Sequence, residues 1–302
     1  MHIYVKKMVE GESIPGIIRN GNYFLTELGV YEDGTISCWE RNDLKQFRDS
    51  IARNRIVPAI PDGELLSIFQ LGAFRIEKAE WLYNKDSYYN HIVEIIKSLN
   101  PEMENIYTET PRISEKWDKA RVRFSDNPTD CKLREKLGYS LTDGKSGFIF
   151  CNIDGITSIT FLVVYADKCF RIGEFPDKDF TFDEIKEMFR NGTLSTKVTA
   201  DTWVNIENLG RVKLSTVSSV KTSEKLKELE EKAKRLANEP TAHEKCVNAY
   251  HQYLEYPCED TKEALRKAYE AVPEYERCYL GDMDTRDTDY VRILYSNEKR
   301  TV

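Results

Sequence analysis

Apolar and polar positions along this chain repeat in two matching blocks. Gly21–Glu40 aligns without a gap on Gly155–Glu174. Gly21/Gly155, Thr26/Thr160, Leu28/Leu162, Val30/Val164, Tyr31/Tyr165, Asp33/Asp167 and Glu40/Glu174 are identical pairs. After a four-residue insertion the apolar pattern runs in step again, from Leu44/Phe182 to Ile76/Leu214. Self-similarity at a fixed spacing makes each block one supersecondary unit. In the first block Asp33-Gly34 supplies a tight turn, which predicts paired strands over Phe24–Tyr31 and Thr35–Glu40. Asp167-Lys168 holds the same place in the second block and, lacking glycine, predicts a slightly different turn.

Helical spacing follows in both blocks. Leu44, Phe47 and Ile51 share one face, with Asn42 or Asp43 as cap. Phe182, Ile185 and Phe189 share the equivalent face behind a Thr181…Glu184 capping box. Asn54 and Asn191-Gly192 then read as turns. Three strands are predicted next in each block: Arg55–Ile60, Leu65–Gln70 and Ala73–Lys78, then Thr193–Val198, Trp203–Asn208 and Arg211–Val217. Leu71-Gly72 and Leu209-Gly210 read as matching tight turns. A last helix carries Tyr89, Ile92, Ile96 and Leu99, matched by Leu226, Leu229, Ala233 and Leu236. Pro101 and Pro240 close these helices. The expected fold class is therefore α+β, two duplicated β-rich modules (ββ-α-βββ-α) with a helical C-terminal extension. The two modules are expected to pack about a pseudo-two-fold axis with a groove where they meet.

The expected domains are a first module over 1–100, an irregular connector over 101–145, a second module over 146–238 and an extension over 239–302. In the connector, Thr129–Leu137 reads as a helix. The extension reads as two paired helices, Thr241–Tyr256 and Asp260–Ala271, then an acidic loop Gly281–Asp289 and a strand Tyr290–Tyr295.

Composition narrows the function classes. A formal charge of −7 over 302 residues argues against broad nucleic-acid binding, which needs a basic surface. No apolar stretch approaches the roughly 18 residues that cross a bilayer, and the first residues lack the apolar core of a signal peptide. Seven cysteines without a C-x-x-C pair suit reduced thiols. The expectation is a soluble, cytoplasmic protein without a membrane partner. Its partner is a protein or a small-molecule ligand.

Candidate chemistry is sparse. Asp282, Asp284, Asp287 and Asp289 form the densest carboxylate cluster, and hard divalent cations take several oxygen ligands. Asp287 stands where an EF-hand needs Gly and Ile293 where it needs Glu, so the competing reading is a set of Asx-turns partly neutralised by Arg286. No cofactor is expected beyond a divalent cation at those four aspartates. His243, Cys246, His251 and Cys258 resemble a zinc spacing, but the 100° helical rotation per residue points them apart. Gly144-Lys145-Ser146-Gly147 lacks the strand and full spacing of a phosphate loop; Asp143-Gly144 reads as a turn leading into a strand over Phe148–Asn152. No Gly-x-Ser-x-Gly elbow or dinucleotide fingerprint occurs. Where the copies differ, Cys38-Trp39 faces Ile172-Gly173. Trp39, with Glu40 and Arg41 beside it, is thus a candidate binding residue. The favoured competing reading is that it covers the apolar face of its own helix, since large aromatics usually bury themselves. Arg286 in the acidic loop is a further candidate.

The run Glu276–Tyr290 (ERCYLGDMDTRDTDY) and the following Val-Arg-Ile-Leu-Tyr resembles the tail of an uncharacterised bacterial protein family. The resemblance implies no activity; it directs attention to Leu280–Asp284 as a site. Two function classes follow. The leading one is an intracellular, non-enzymatic binding or interaction protein built on the tandem repeat. The alternative is a divalent-metal-dependent hydrolase using the Asp282–Asp289 carboxylates.

Overall fold

A computed structural model of the chain describes residues 9–108, 131–135 and 139–296. The chain divides into two compact units, residues 1–165 with 169–220 and residues 166–168 with 221–302.

The first unit holds the repeat. Copy one runs β1 (Gly11–Asn20), β2 (Asn22–Tyr31), β3 (Ile36–Cys38), β4 (Glu40–Asn42), α1 (Leu44–Ala52), β5 (Leu65–Ile68), β6 (Gly72–Trp81) and α2 (Lys85–Leu99). After β7 (Cys131–Glu135) and β8 (Tyr139–Lys145), copy two runs β9 (Phe148–Ile153), β10 (Ile156–Tyr165), β11 (Phe170–Ile172), α3 (Phe182–Arg190), β12 (Leu194–Ser195), β13 (Trp203–Ile206) and β14 (Gly210–Ser219). Strands β2 and β10, β3 and β11, β5 and β13, and β6 and β14 match in length and in sequence offset, as do α1 and α3.

Each copy is wound alike. The second strand pairs antiparallel with the first and parallel with the fourth main strand, Tyr23–Leu25 on Leu66–Ile68 and Thr157–Ile159 on Val204–Ile206. The copies join edge to edge through the antiparallel β6/β14 ladder, so one sheet runs through both. Near the middle of that ladder Ile76 opposes Leu214, its own counterpart in the repeat. At its ends Gly72 opposes Ser219 and Gly210 opposes Trp81, again the same pair read from either copy.

The glycines at those ends are required. Gly72 (φ +148) and Gly210 (φ +136) occupy backbone that side chains rarely adopt. A Cβ on Gly72 would lie 2.2 Å from the Ser218 carbonyl oxygen, and one on Gly210 would lie 2.2 Å from that of Glu80. Along β6 and β14 alternate side chains, Phe74, Ile76, Val212 and Leu214, are buried, as period-two patterning requires. Phe74 meets Phe150 edge-on at 5.1 Å, linking the copies through the core as well as the ladder. Burying side chains of this size contributes about 1.5–3 kcal/mol each. Tyr88, Ile92 and Ile96 form the buried face of α2.

Several expectations change. Copy one runs β-β-β-β-α-β-β-α and copy two β-β-β-α-β-β-β. Strand β1 lies ahead of the predicted pair, its counterpart β9 is the strand predicted over Phe148–Asn152, and β4 is added in copy one. In β1 Pro15 lies opposite Glu27, and Gly16 is needed where a Cβ would lie 2.4 Å from the Leu28 side chain. The predicted strand Arg55–Ile60 shrinks to a single bridge between Ile18 and Ile56, since Pro58 and Pro61 bring no N–H to a ladder. Its counterpart shrinks to β12, where the Ser195 hydroxyl accepts the Lys197 N–H and turns the chain away. Lys168 adopts φ +66 where Gly34 has +76, so the turn is kept without glycine. Within the predicted helix Thr129–Leu137, residues 131–135 form strand β7, paired with β8; the rest of that segment lies outside the described residues. Gly144 and Lys145 end β8, and only Ser146-Gly147 turns the chain into β9, so the segment precedes no helix.

The second unit is helical: α4 (Thr222–Leu236), α5 (Ala242–Glu255), α6 (Glu259–Ala271), α7 (Glu274–Arg277) and α8 (Thr288–Tyr295). Helix α4 matches α2 in length and offset but belongs to this unit. The expected Thr241…Glu244 capping box opens α5. Cys246, Leu265, Tyr269, Val272, Tyr290 and Leu294 lie in its core. The segment Tyr290–Tyr295 is helical, not a strand. Its aromatic and β-branched residues favour strands, but Tyr290 and Leu294 lie one turn apart and bury together, and packing overrides propensity. Among the described residues no helix is long and apolar enough to cross a membrane.

Candidate functional site

The first copy contains a cleft of ≈ 250 Å³ between the end of β1, the β3–β4 reversal and the segment after α1. A second hollow of ≈ 380 Å³ shares Glu40, Asn42, Ser50 and Arg55 with it and extends along α1. Local interactions fix its walls. Asp43 and Gln46 close a capping box that starts α1, each side chain accepting the other's backbone N–H at 2.7 and 2.9 Å. Asn54, at φ +57, reverses the chain after α1, with Arg53 and Arg55 on either side. The Arg19 N–H donates to the Arg55 carbonyl at 2.7 Å, and the Val57 N–H donates to that of Ile17 at 2.9 Å, tying this segment to β1.

Trp39 stands at the tip of the β3–β4 reversal, where Cys38 pairs directly with Glu40. Its φ of +52 is the left-handed conformation, which costs a non-glycine residue about 1–2 kcal/mol. Trp39 is 64% exposed, and its indole rests against Phe24, ring centroids 5.6 Å apart. The second copy treats this place differently. Gly173 replaces Trp39, and a Cβ there would lie 2.4 Å from Thr160 Oγ1. Ser158 replaces Phe24, and its hydroxyl donates to Glu174, the counterpart of Glu40. An aromatic pair in one copy thus stands where the other has a hydrogen bond.

The electrostatics of the cleft are set by one buried thiol and several exposed guanidinium groups. Burial pushes the Cys38 thiol up to about 12, so it stays protonated at neutral pH. Arg19, Arg53 and Arg55 are exposed at its walls, and Arg19 lies over the Tyr23 ring at 5.7 Å. A guanidinium presents a planar fork of donors suited to carboxylates and phosphates.

The acidic loop is held by its own contacts. The Asp282 carboxylate accepts the backbone N–H groups of Asp284 and Thr285 and the Thr285 hydroxyl, at 3.1, 2.7 and 2.7 Å. These donors hold its pKa below the usual carboxylate range, the Thr285 N–H first. Asp287 accepts the Tyr269 hydroxyl at 2.7 Å, and Asp289 pairs with Arg292 at 2.9 Å. Asp284 and Arg286 are exposed, Arg286 at φ +49. Among the described residues no three His, Cys, Asp or Glu side chains are grouped so as to hold a metal ion. In the zinc-like spacing, Cys246 is wholly buried and its thiol pushed up to about 12 by that burial, while His243 Nε2 lies 3.1 Å from the Tyr279 carbonyl oxygen.

Residues 1–103 and 132–240 match a domain of unknown function, DUF7638, and residues 241–301 match a second, DUF7639. The chain belongs to the DUF7638 family. No curated protein and no solved structure matches it. The two DUF7638 segments fall one on each copy, which fits a duplicated module. The Trp39 cleft lies wholly within the first DUF7638 segment, and the acidic loop within DUF7639.

Of the predicted binding residues, Trp39 and Glu40 line the cleft; Arg286 belongs to the DUF7639 segment and the other compact unit. Reading the sequence missed Arg19, Arg53 and Arg55, because nothing local links β1 to the end of α1. The repeat did carry a signal: Arg53 and Arg55 align with Asn191 and Thr193, so the first DUF7638 copy is basic where the second is neutral.

Proposed function

We propose that this chain is a non-enzymatic binding protein whose site is the cleft under Trp39. The observation that carries the reading is the asymmetry between copies. One scaffold, used twice, displays a solvent-exposed indole on left-handed backbone in copy one and has glycine there in copy two. An exposed Trp held at a conformational cost is a poor way to stabilise a fold and a good interface anchor. Duplication supplies the rigid sheet, and the first copy supplies the contact residues. The geometry of Asp282–Asp289 gives no comparable support to a metal-dependent hydrolase, since three of those carboxylates are engaged by neighbouring groups.

The test is affinity capture with wild type and Trp39→Ala, followed by rebinding of each recovered partner in purified form. The expected outcome is a partner bound by wild type and lost with Trp39→Ala, while Trp203→Phe, elsewhere in the same unit, keeps it. Retention of every partner by Trp39→Ala would remove the cleft from the reading. Calorimetric titration with Mg2+, Mn2+ and Ca2+ checks the alternative: heat abolished by Asp282→Ala with Asp284→Ala would favour the hydrolase.

A further inference from the structure

The cleft carries more positive charge than its own carboxylates balance. Arg19, Arg41, Arg53 and Arg55 line it, against Glu40 and Asp49, in a chain whose net charge is −7. Arg19, Arg53 and Arg55 make no ion pair and no side-chain hydrogen bond with any described residue. Elsewhere in the unit Arg211 pairs with Glu80 at 2.6 Å and Arg171 with Asp179 at 2.7 Å, while Arg48 lies over the Tyr89 ring and Arg75 donates to the Gly63 carbonyl. The second copy discards this charge. Asn152, which faces Thr157 across its hairpin as Arg19 faces Tyr23, replaces Arg19, while Asn191 and Thr193 replace Arg53 and Arg55. Three guanidinium groups without a carboxylate partner therefore coincide with the exposed Trp39, on the copy that has the cleft.

Resting on the binding reading above, we infer that the occupant is an acidic segment of a partner protein. Its carboxylates meet Arg19, Arg53 and Arg55, and an aromatic or aliphatic side chain lies against Trp39. Three features favour a peptide over a small molecule. Small-ligand sites are mostly apolar and enclose their ligand, whereas the larger hollow is lined only by polar and charged residues. Trp and Arg are the residues that dominate protein–protein contacts. The two hollows share Glu40, Asn42, Ser50 and Arg55 as walls, so an extended chain can reach from one to the other. Guanidinium forks bind carboxylates bidentately, giving direction as well as attraction. The overall negative charge makes a nucleic-acid strand the poorer occupant, because its affinity depends on neutralising many phosphates.

The experiment titrates the full chain with a fluorescein-labelled peptide of glutamates flanking one tyrosine, read by anisotropy at low ionic strength. A peptide with glutamines for the glutamates, inorganic phosphate and adenosine monophosphate are the comparison probes. The expected result is saturable binding of the acidic peptide that weakens with salt and is absent with the glutamine peptide. Arg53→Glu and Arg55→Glu should each weaken it about tenfold or more, with Arg55→Lys intermediate because charge remains and the fork is lost. Arg48→Glu, on α1 but over Tyr89 and outside the cleft, should leave it unchanged, and circular dichroism controls for folding. No saturation by the acidic peptide below about 1 mM, equal loss with Arg48→Glu, or binding of phosphate or the nucleotide in its place overturns the inference. Partner capture that still depends on Trp39 would then leave the binding reading standing; loss of both would end both.

Discussion

Replacing either seam glycine by alanine tests whether the β6/β14 ladder is what joins the copies. In Gly72→Ala the new Cβ starts 2.2 Å from the Ser218 carbonyl oxygen, and real Cβ contacts essentially never fall under 3.0 Å, so the partner strand must move away. Backbone cannot rotate out of the way as a flexible side chain does. Forcing a side chain into this glycine-only conformation costs about 1–3 kcal/mol. Overpacking against fixed backbone costs about another 1–3 kcal/mol. The expected destabilisation is therefore about 4 kcal/mol. Gly210→Ala repeats the situation at φ +136, 2.2 Å from the Glu80 carbonyl oxygen, and should cost the same. Gly21→Ala is the control: φ is +71, but nothing lies within 4 Å of the added Cβ, so only the conformational cost of about 1 kcal/mol remains. Urea unfolding followed by tryptophan fluorescence reports on this unit, because Trp39, Trp81 and Trp203 all lie in it. The seam variants should lose about 1–2 M in midpoint. The two glycines lie at opposite ends of the ladder, about 30 Å apart at the usual strand rise, so their effects should add. The sum, about 8 kcal/mol, is comparable to the whole stability of a typical domain, and the double variant should be largely unfolded. A seam variant no less stable than Gly21→Ala, or two seam variants differing by more than about 2 kcal/mol, would refute the reasoning.

Two further outcomes follow from the ionisable groups. Asp282 has its pKa lowered by the donors of Thr285 and Asp284. Its contribution to stability is thus present above the ordinary Asp value of about 3.9 and is lost as pH falls through the lower, folded value. Asp282→Asn should flatten the acid limb of unfolding monitored by tyrosine near-UV dichroism, and an unchanged limb would show that the turn does not hold the helical unit. Among the cysteines, burial pushes Cys38 and Cys246 to about 12 and Cys151 to about 11, whereas Cys258 is exposed and lowered by its hydrogen bonds with Thr261. A thiol reagent at about pH 8 should modify Cys258 first, and Cys258→Ser should remove that phase; rapid labelling of Cys38 in the folded protein would contradict the buried cleft floor.

The repeat was legible because the same contacts must be made twice. Leu28/Leu162, Val30/Val164 and Ile76/Leu214 mark equivalent buried positions, and both matched helices and four matched strand pairs follow from them. Elements specified by long-range contact were not legible. Strand β1 needs Gly16 only because Leu28 fills the space beside it. Helix α8 looks like a strand until Tyr290 stacks on Tyr250 at 4.5 Å. The cleft was half legible. Trp39 and Glu40 stand out because the copies differ there, whereas Arg19 and Arg55 become neighbours only through the backbone hydrogen bond that joins β1 to the loop after α1.

The β6/β14 ladder also says what one copy could not do alone. A single module would end in a ten-residue strand with one side of its backbone unpaired, an edge that invites association with other chains. Because Ile76 opposes Leu214, that edge is self-complementary, so a free module would meet the need by pairing with its twin. Such a pair would exist only above the concentration set by its affinity. Carrying both copies on one chain makes the pairing independent of protein concentration. It also lifts a constraint that identical subunits cannot escape: a Trp at position 39 need no longer appear twice, and one half can keep a contact surface while the other gives it up.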